Sequence, residues 1–192
     1  MIEWRPSLSL PDEMKKQQGS VTPIRLLGDP VLRETSREVE TFDALLVRLY
    51  EDMLETMYQA PGVGLAAPQI GLSLRFFVYD VGDGSGPGCI TNPVLSEHEG
   101  SQMEDEGCLS IPKLYFPTER AESVRVDGLD VSGGSISIVG TGLLARIFQH
   151  ETDHLNGMLF IDRLEGEVRR EALAAIRDRE FGAGSSPARR SG

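Results

Sequence analysis

Cysteine, histidine and positive charge are all scarce in this chain of 192 residues. Two cysteines, Cys89 and Cys108, are too few for a disulfide framework, and a free thiol or a metal ligand in a reducing compartment is the expectation. No apolar run approaches the roughly 18 residues that a membrane-spanning helix needs. The opening Met1-Ile2-Glu3-Trp4-Arg5-Pro6 lacks the basic stretch and apolar core of a secretory signal, so a cytoplasmic protein with no membrane partner is expected. Lys and Arg total 19 against 30 Asp and Glu, a formal charge of −11. That deficit argues against broad or sequence-specific nucleic-acid binding, in which cations must replace the counterions around phosphates. It is also uneven, because residues 163–192 carry seven Arg against five acidic residues. A solvated amphipathic helix with a loose tail is the plain reading of that end, and a polyanionic partner is the alternative. Of three histidines, His98, His150 and His154, two stand four residues apart.

Ordinary soluble composition, 40% hydrophobic and 26% charged, suits one compact domain at this length. Residues 1–21 are polar and proline-broken and read as a loosely held arm. Residues 22–181 are expected to form a single domain that includes a C-terminal helix at 165–181, and residues 182–192, rich in Gly, Ser and Pro, read as a disordered tail. Phe42, Leu45, Leu46, Leu49, Met53, Leu54 and Met57 fall at helical spacing across residues 41–59, with Thr41 as N-cap and Pro61-Gly62 as the stop. Residues 62–71 read as a glycine- and alanine-rich loop, and residues 74–81 as a buried strand. Shorter strands are expected at residues 90–95, 123–126 and 135–139, a helix at 142–155 closed by Gly157, and a last helix at 165–181. Strands grouped together rather than alternating with helices predict an α+β fold. Its sheets should be largely antiparallel, packed around a central metal-binding helix, with a helix at the C-terminal end.

The strongest chemical signal is His150-Glu151-Thr152-Asp153-His154 within that central helix. A rise of about 1.5 Å per residue sets i and i+4 on one face, where two imidazoles can share one metal ion. Glu151 lies one step round the helix, too offset for a third ligand but placed to take a proton from water at the ion. Such a pentad can also be a polar helix face. Here the preceding turns are apolar (Leu143, Leu144, Ile147, Phe148), and polar groups on a core helix need partners. Three protein ligands are usual at a catalytic zinc-like site, and Cys108, in Glu106-Gly107-Cys108-Leu109-Ser110, is the best third candidate. Alone it would read as a buried apolar thiol. Cys89 has no such setting and reads as a core residue. The stretch Gly62-Val63-Gly64-Leu65-Ala66-Ala67-Pro68-Gln69 lets backbone approach a ligand closely and ends in an amide donor. It has no Gly-Lys-Ser/Thr ending, which excludes a phosphate-binding loop.

These three blocks, in this order, resemble the peptide deformylase family over roughly residues 22–165. Its signatures are a Gly-any-Gly-hydrophobic-Ala-Ala-Pro-Gln loop, a Glu-Gly-Cys-hydrophobic-Ser strand and a His-Glu-any-any-His helix. The resemblance implies a metal-dependent hydrolase that removes the N-formyl group from the formylmethionine of nascent polypeptides and releases formate. It implies Cys108, His150 and His154 as ligands of one divalent ion, Fe2+ in the cell, with Zn2+, Ni2+ or Co2+ suiting the same donors. It also implies Glu151 as general base and acid, with Gln69 and the backbone N–H of Leu109 holding the formyl oxygen. The methionine side chain would lie against Val63, Gly64, Leu143 and Ile147, residues that plain core packing would equally explain. Two positions depart from relatives: Lys113 stands where Gly is frequent, and Tyr115 where some carry a substrate-binding Arg. Relatives also suggest ribosome contact through a basic C-terminal segment, here Arg169, Arg170, Arg177, Arg179, Arg189 and Arg190. The rival readings are a metallopeptidase whose third ligand is Glu167 or Glu171, and a non-catalytic peptide binder of the same fold.

Overall fold

The computed structural model describes residues 19–182, so the expected arm falls mostly outside the described residues and the expected tail almost wholly so. Seven strands and three α-helices follow in the order α1 (Ala44–Gln59), β1 (Gly64–Ala66), β2 (Phe76–Tyr79), β3 (Gly88–Glu99), β4 (Gln102–Cys108), β5 (Ile111–Arg120), β6 (Ser123–Leu129), β7 (Ser135–Thr141), α2 (Gly142–Leu155) and α3 (Gly166–Gly182). A five-stranded sheet runs β1-β2-β3-β6-β7, and β4-β5 form a separate hairpin. Every pairing between these strands is antiparallel. The α+β architecture read from the sequence is the one observed. Among the described residues no helix is long and apolar enough to cross a membrane.

The alternation of β2 explains how the layers stack. Side chains along a strand point to opposite faces in turn. Phe76 and Val78 enter a cluster with Leu46, Tyr50, Met53 and Met57 of α1, whereas Phe77 and Tyr79 enter one with Ala145, Ile147, Phe148 and Leu155 of α2. The five-stranded sheet is therefore sandwiched between α1 and α2. Cys89 is buried in the α1 cluster, as a core residue should be. A third cluster joins Cys108 and Ile111 of the hairpin to Leu159, Phe160, Ile161, Leu164 and Ala172, so α3 closes the far side of β4-β5. Residues Ala145 to Leu155 of α2 are buried without a break, which makes it the central helix.

Three local readings of the sequence are corrected. The N-cap of α1 is Asp43, not Thr41: its carboxylate accepts from the N–H groups of Leu45 (2.9 Å) and Leu46 (3.2 Å), so the helix starts later than expected. Residues 62–71 are not merely loop, since Gly64–Ala66 pairs with Phe77–Tyr79 as the sheet's edge and Ala67–Ile70 makes a 3-10 turn. The Glu-Gly-Cys-hydrophobic-Ser block is not strand throughout: β4 ends at Cys108, and Leu109-Ser110 form the turn into β5. Gly157, at φ 72°, does end α2 in a conformation that other residues adopt at a penalty.

Lys113 also sits at positive φ, 60°, inside β5. Its carbonyl accepts a hydrogen bond from Arg179 Nη2 of α3 (2.9 Å), and Arg179 Nη1 bonds the neighbouring carbonyl of Pro112. The left-handed region is strained for a residue with a Cβ and open to glycine. Lys113→Gly should therefore stabilise the fold by about 0.5–1 kcal/mol after the entropy of glycine is set against the relieved strain. Denaturant unfolding checks this, and a destabilised variant would show the strain to be absent.

Candidate metal centre and active site

The helical spacing of His150 and His154 and the bulge between Gly107 and Cys108 bring three side chains to one point. The ligand atoms of Cys108, His150 and His154 all lie within 4.8 Å of one another, and all three residues are buried. Cys108 Sγ is 3.3 Å from His154 Nε2, and the two imidazole rings stand 4.9 Å apart at 73°. Among the described residues this is the group of His, Cys, Asp or Glu side chains whose atoms converge so closely. Glu167 and Glu171, the ligands a metallopeptidase reading required, are exposed on α3.

The centre lies at the floor of a cleft of about 540 Å³ whose lining includes Cys108, His150 and Glu151. Gln69, Leu109, Val63, Gly64, Leu143 and Ile147 line the same cleft, so every site residue expected from the sequence lines it except His154, which is fully buried. Val63 and Leu143 are half exposed at the rim, and Ile147 is buried. Lys113 and Tyr115 also border the opening. Gln69 is fixed by its carbonyl oxygen, which accepts from the N–H of Ala66 at 2.8 Å. This leaves its amide nitrogen 3.3 Å from Ser110 Oγ and 3.6 Å from Cys108 Sγ.

A charged network behind the centre was not legible in the sequence. Glu106 holds His150 Nδ1 at 2.6 Å with one oxygen, while Arg120 binds both of its oxygens and Arg146 Nη1 meets the other at 2.7 Å. Arg120 also reaches Asp153 at 2.6 Å, and Arg163 closes on Asp153 from outside. Such a carboxylate behind an imidazole fixes the ring and turns its free nitrogen toward an ion. Phe160 stacks on the His150 ring at 6.4 Å, adding a second restraint. Burial by itself would raise the Glu106 carboxyl, but the hydrogen bonds and charges of His150 and Arg120 hold it well below the usual carboxylate range. Burial, helped by the charge of His150, pushes His154 well down, toward the neutral form that ligates metals. The signal for this network was a charged residue, Arg146, among apolar neighbours on α2, and an acid, Glu106, directly before the Gly-Cys pair.

Glu151 is 3% exposed, and burial pushes its carboxyl up to about 7. One of its oxygens, Oε2, has no hydrogen-bond partner among the described residues. Gly64 leaves room for it, because a Cβ there would fall 2.3 Å from Glu151 Oε1. Gly64→Ala should accordingly displace Glu151 and lower turnover by roughly 10²-fold while leaving metal content unchanged. Equal turnover in the two proteins would show that Glu151 needs no such space.

The Polypeptide deformylase family model matches residues 21–170. The peptide deformylase of Acidothermus cellulolyticus is 54% identical over 162 residues, covering 84% of this chain and 89% of that protein. The crystal structure of the Thermus thermophilus peptide deformylase superposes with a TM-score of 0.78 at 51% identity, covering 82% of this chain and 93% of that one. That of the Legionella pneumophila enzyme gives 0.79 at 44% identity, covering 88% and 100%. With half its residues shared with such a relative and the same chain path, this chain belongs to the polypeptide deformylase family, the metal-dependent hydrolases that remove the formyl group from the N-terminus of new polypeptides.

Proposed function

We propose that Cys108, His150 and His154 hold one divalent cation and that Glu151, Gln69 and the backbone N–H of Leu109 carry out the deformylation. The convergence of a thiol and two imidazoles within 4.8 Å, at the floor of a cleft that also holds Glu151, is the observation on which this rests. The donor set fits a borderline-soft divalent ion such as Zn2+, Fe2+, Ni2+ or Co2+. Availability rather than affinity selects among them, and with the family resemblance we assign Fe2+ in the cell. The chemistry a bound ion supplies here is Lewis acidity, which polarises the formyl carbonyl and acidifies water.

The protein's own groups do the rest. Glu151, titrating near neutrality because it is buried, takes a proton from the attacking water and delivers it to the amine nitrogen as the C–N bond breaks. Formate and a free N-terminal amine result. Charge growing on the formyl oxygen is met by donors fixed in advance, the Gln69 amide and the Leu109 N–H. The methionine side chain occupies an apolar slot bounded by Val63, Gly64, Leu143 and Ile147. A formate-release assay on formyl-Met-Ala-Ser under anaerobic conditions, with metal analysis of the same sample, should show formate produced in proportion to bound metal. Metal without formate would favour a peptide binder instead.

Ribosome contact through the C-terminal segment belongs to the same reading. Within α3, Arg179 and Arg169 bond backbone carbonyls of the protein itself, which leaves exposed Arg170 and Arg177 as the available cations among the described residues of that set. Reversing both charges with Arg170→Glu and Arg177→Glu should weaken cosedimentation with ribosomes at low salt; unchanged cosedimentation would dismiss the contact.

A further inference from the structure

Residues 19–22 run along α1, and three contacts fix their direction. The Thr22 N–H donates to Thr56 Oγ1 (2.9 Å), and the Ser20 N–H donates to the Asp52 carboxylate (2.7 Å). Gly19 comes closest, since a Cβ there would fall 2.4 Å from the Glu51 carbonyl oxygen. Two residues of extended chain span roughly 6.6 Å and four residues of helix about 6 Å, so the two stay in step. Followed backwards from Thr22, the chain therefore tracks α1 toward the N-terminal end of that helix. Leu45, Leu49, Asp52 and Thr56 recur at i, i+4, i+7 and i+11 and so share one stripe of it. Beyond Asp52 that stripe enters a groove of about 440 Å³, where Leu45, Leu49 and Leu74 supply apolar lining. Leu45 is 78% exposed there. Among the charged lining, the exposed acids Glu38, Glu40 and Asp43 outnumber Arg37.

We propose that this groove is a docking site for the chain's own N-terminal segment, residues 10–18, in place of the loose arm that its composition suggested. From Asp52 to Leu45 the helix advances about 10.5 Å, which three to six residues of chain before Ser20 cover, so residues 14–17 arrive at Leu45. Met14 and, further on, Leu10 are the apolar anchors for the leucine lining. Lys15 and Lys16 face Glu40, Asp43 and Glu38, while Asp12 and Glu13 have Arg37 to meet. Exposed ion pairs add little, so removal of Leu45 and Met14 from water supplies most of the affinity. A second copy is the weaker occupant, because two chains of charge −11 repel and must also give up their freedom on association, whereas a tethered segment starts within reach.

Trypsin reads the contact, because Lys15 and Lys16 are cleavage sites inside the docked segment. Under native conditions the 192-residue protein should be cut after these lysines on the order of 10–100-fold more slowly than a free peptide of residues 8–20, the range that burial of one large apolar side chain gives. Leu45→Glu should remove most of that protection. Met14→Glu should do the same, and the two combined should lose no more than either alone, since both break one contact. Leu45 is exposed in the described fold, so circular dichroism of its variant should match the wild type; Met14→Glu carries the comparison if it does not. A wild-type rate equal to that of the free peptide overturns the proposal, whatever the variants do. Protection retained in a folded Leu45→Glu protein overturns it as well. So does protection that fades on dilution, which would place the segment in the groove of a second copy.

Discussion

Replacing Cys108 by Ser is expected to strip the protein of its metal while leaving it folded. The substitution keeps the size of the side chain, and the third cluster around Leu32, Ile111 and Leu159 loses little packing. What it removes is the sulfur that, in the proposed site, would share a divalent ion with the two imidazoles. Loss of an outer-shell partner alone typically weakens metal binding 10–100-fold, so loss of a direct donor should lower metal content after dialysis by roughly 10-fold or more. Formate release should fall with it. Metal analysis beside circular dichroism separates this from unfolding, and a Ser variant that retains a full equivalent of metal would return the third ligand to some other residue.

Glu151→Gln is the complementary case, with metal retained and chemistry lost. The amide preserves the shape that Gly64 accommodates, and among the described residues Glu151 Oε2 has no hydrogen-bond partner to lose. It cannot take a proton from water near neutral pH, as a carboxyl pushed up to about 7 can. Positioned acid–base groups typically contribute 10²–10⁴-fold, and kcat should fall by roughly that factor with KM little changed. A variant with near-normal kcat would transfer the proton-handling role to another group. Together the two substitutions separate holding the ion from moving the proton.

Much of this was legible before any coordinates, for identifiable reasons. The i, i+4 pair of histidines needs only helical geometry to converge, and α2 forms where the apolar spacing placed it. Alternation of β2 between two cores follows from the run Phe76-Phe77-Val78-Tyr79, which is apolar on both faces. The long-range partner was different. Nothing local ties Cys108 to histidines more than forty residues later, and only its pairing with the histidine motif made it the best third candidate; the register shift at the end of the hairpin is what carries it there. Asp43 displaced Thr41 as the helix cap because its carboxylate reaches two N–H groups, a choice between neighbouring capping residues that composition does not decide. The Glu106–Arg120–Arg146–Asp153 network stayed hidden because its members come from β4, β5 and α2: Arg146 among apolar neighbours hints at a buried partner, but nothing local names Glu106 as that partner.

The proposed chemistry depends on where a bound ion would sit. A crystal structure of the metal-loaded protein, with anomalous diffraction collected at the edge of the bound metal, locates it directly. The account predicts one anomalous peak about 2.3 Å from Cys108 Sγ and about 2.0–2.1 Å from a ring nitrogen of each of His150 and His154. A peak bonded to the histidines and to a carboxylate, with the Cys108 sulfur outside bonding distance, would contradict it.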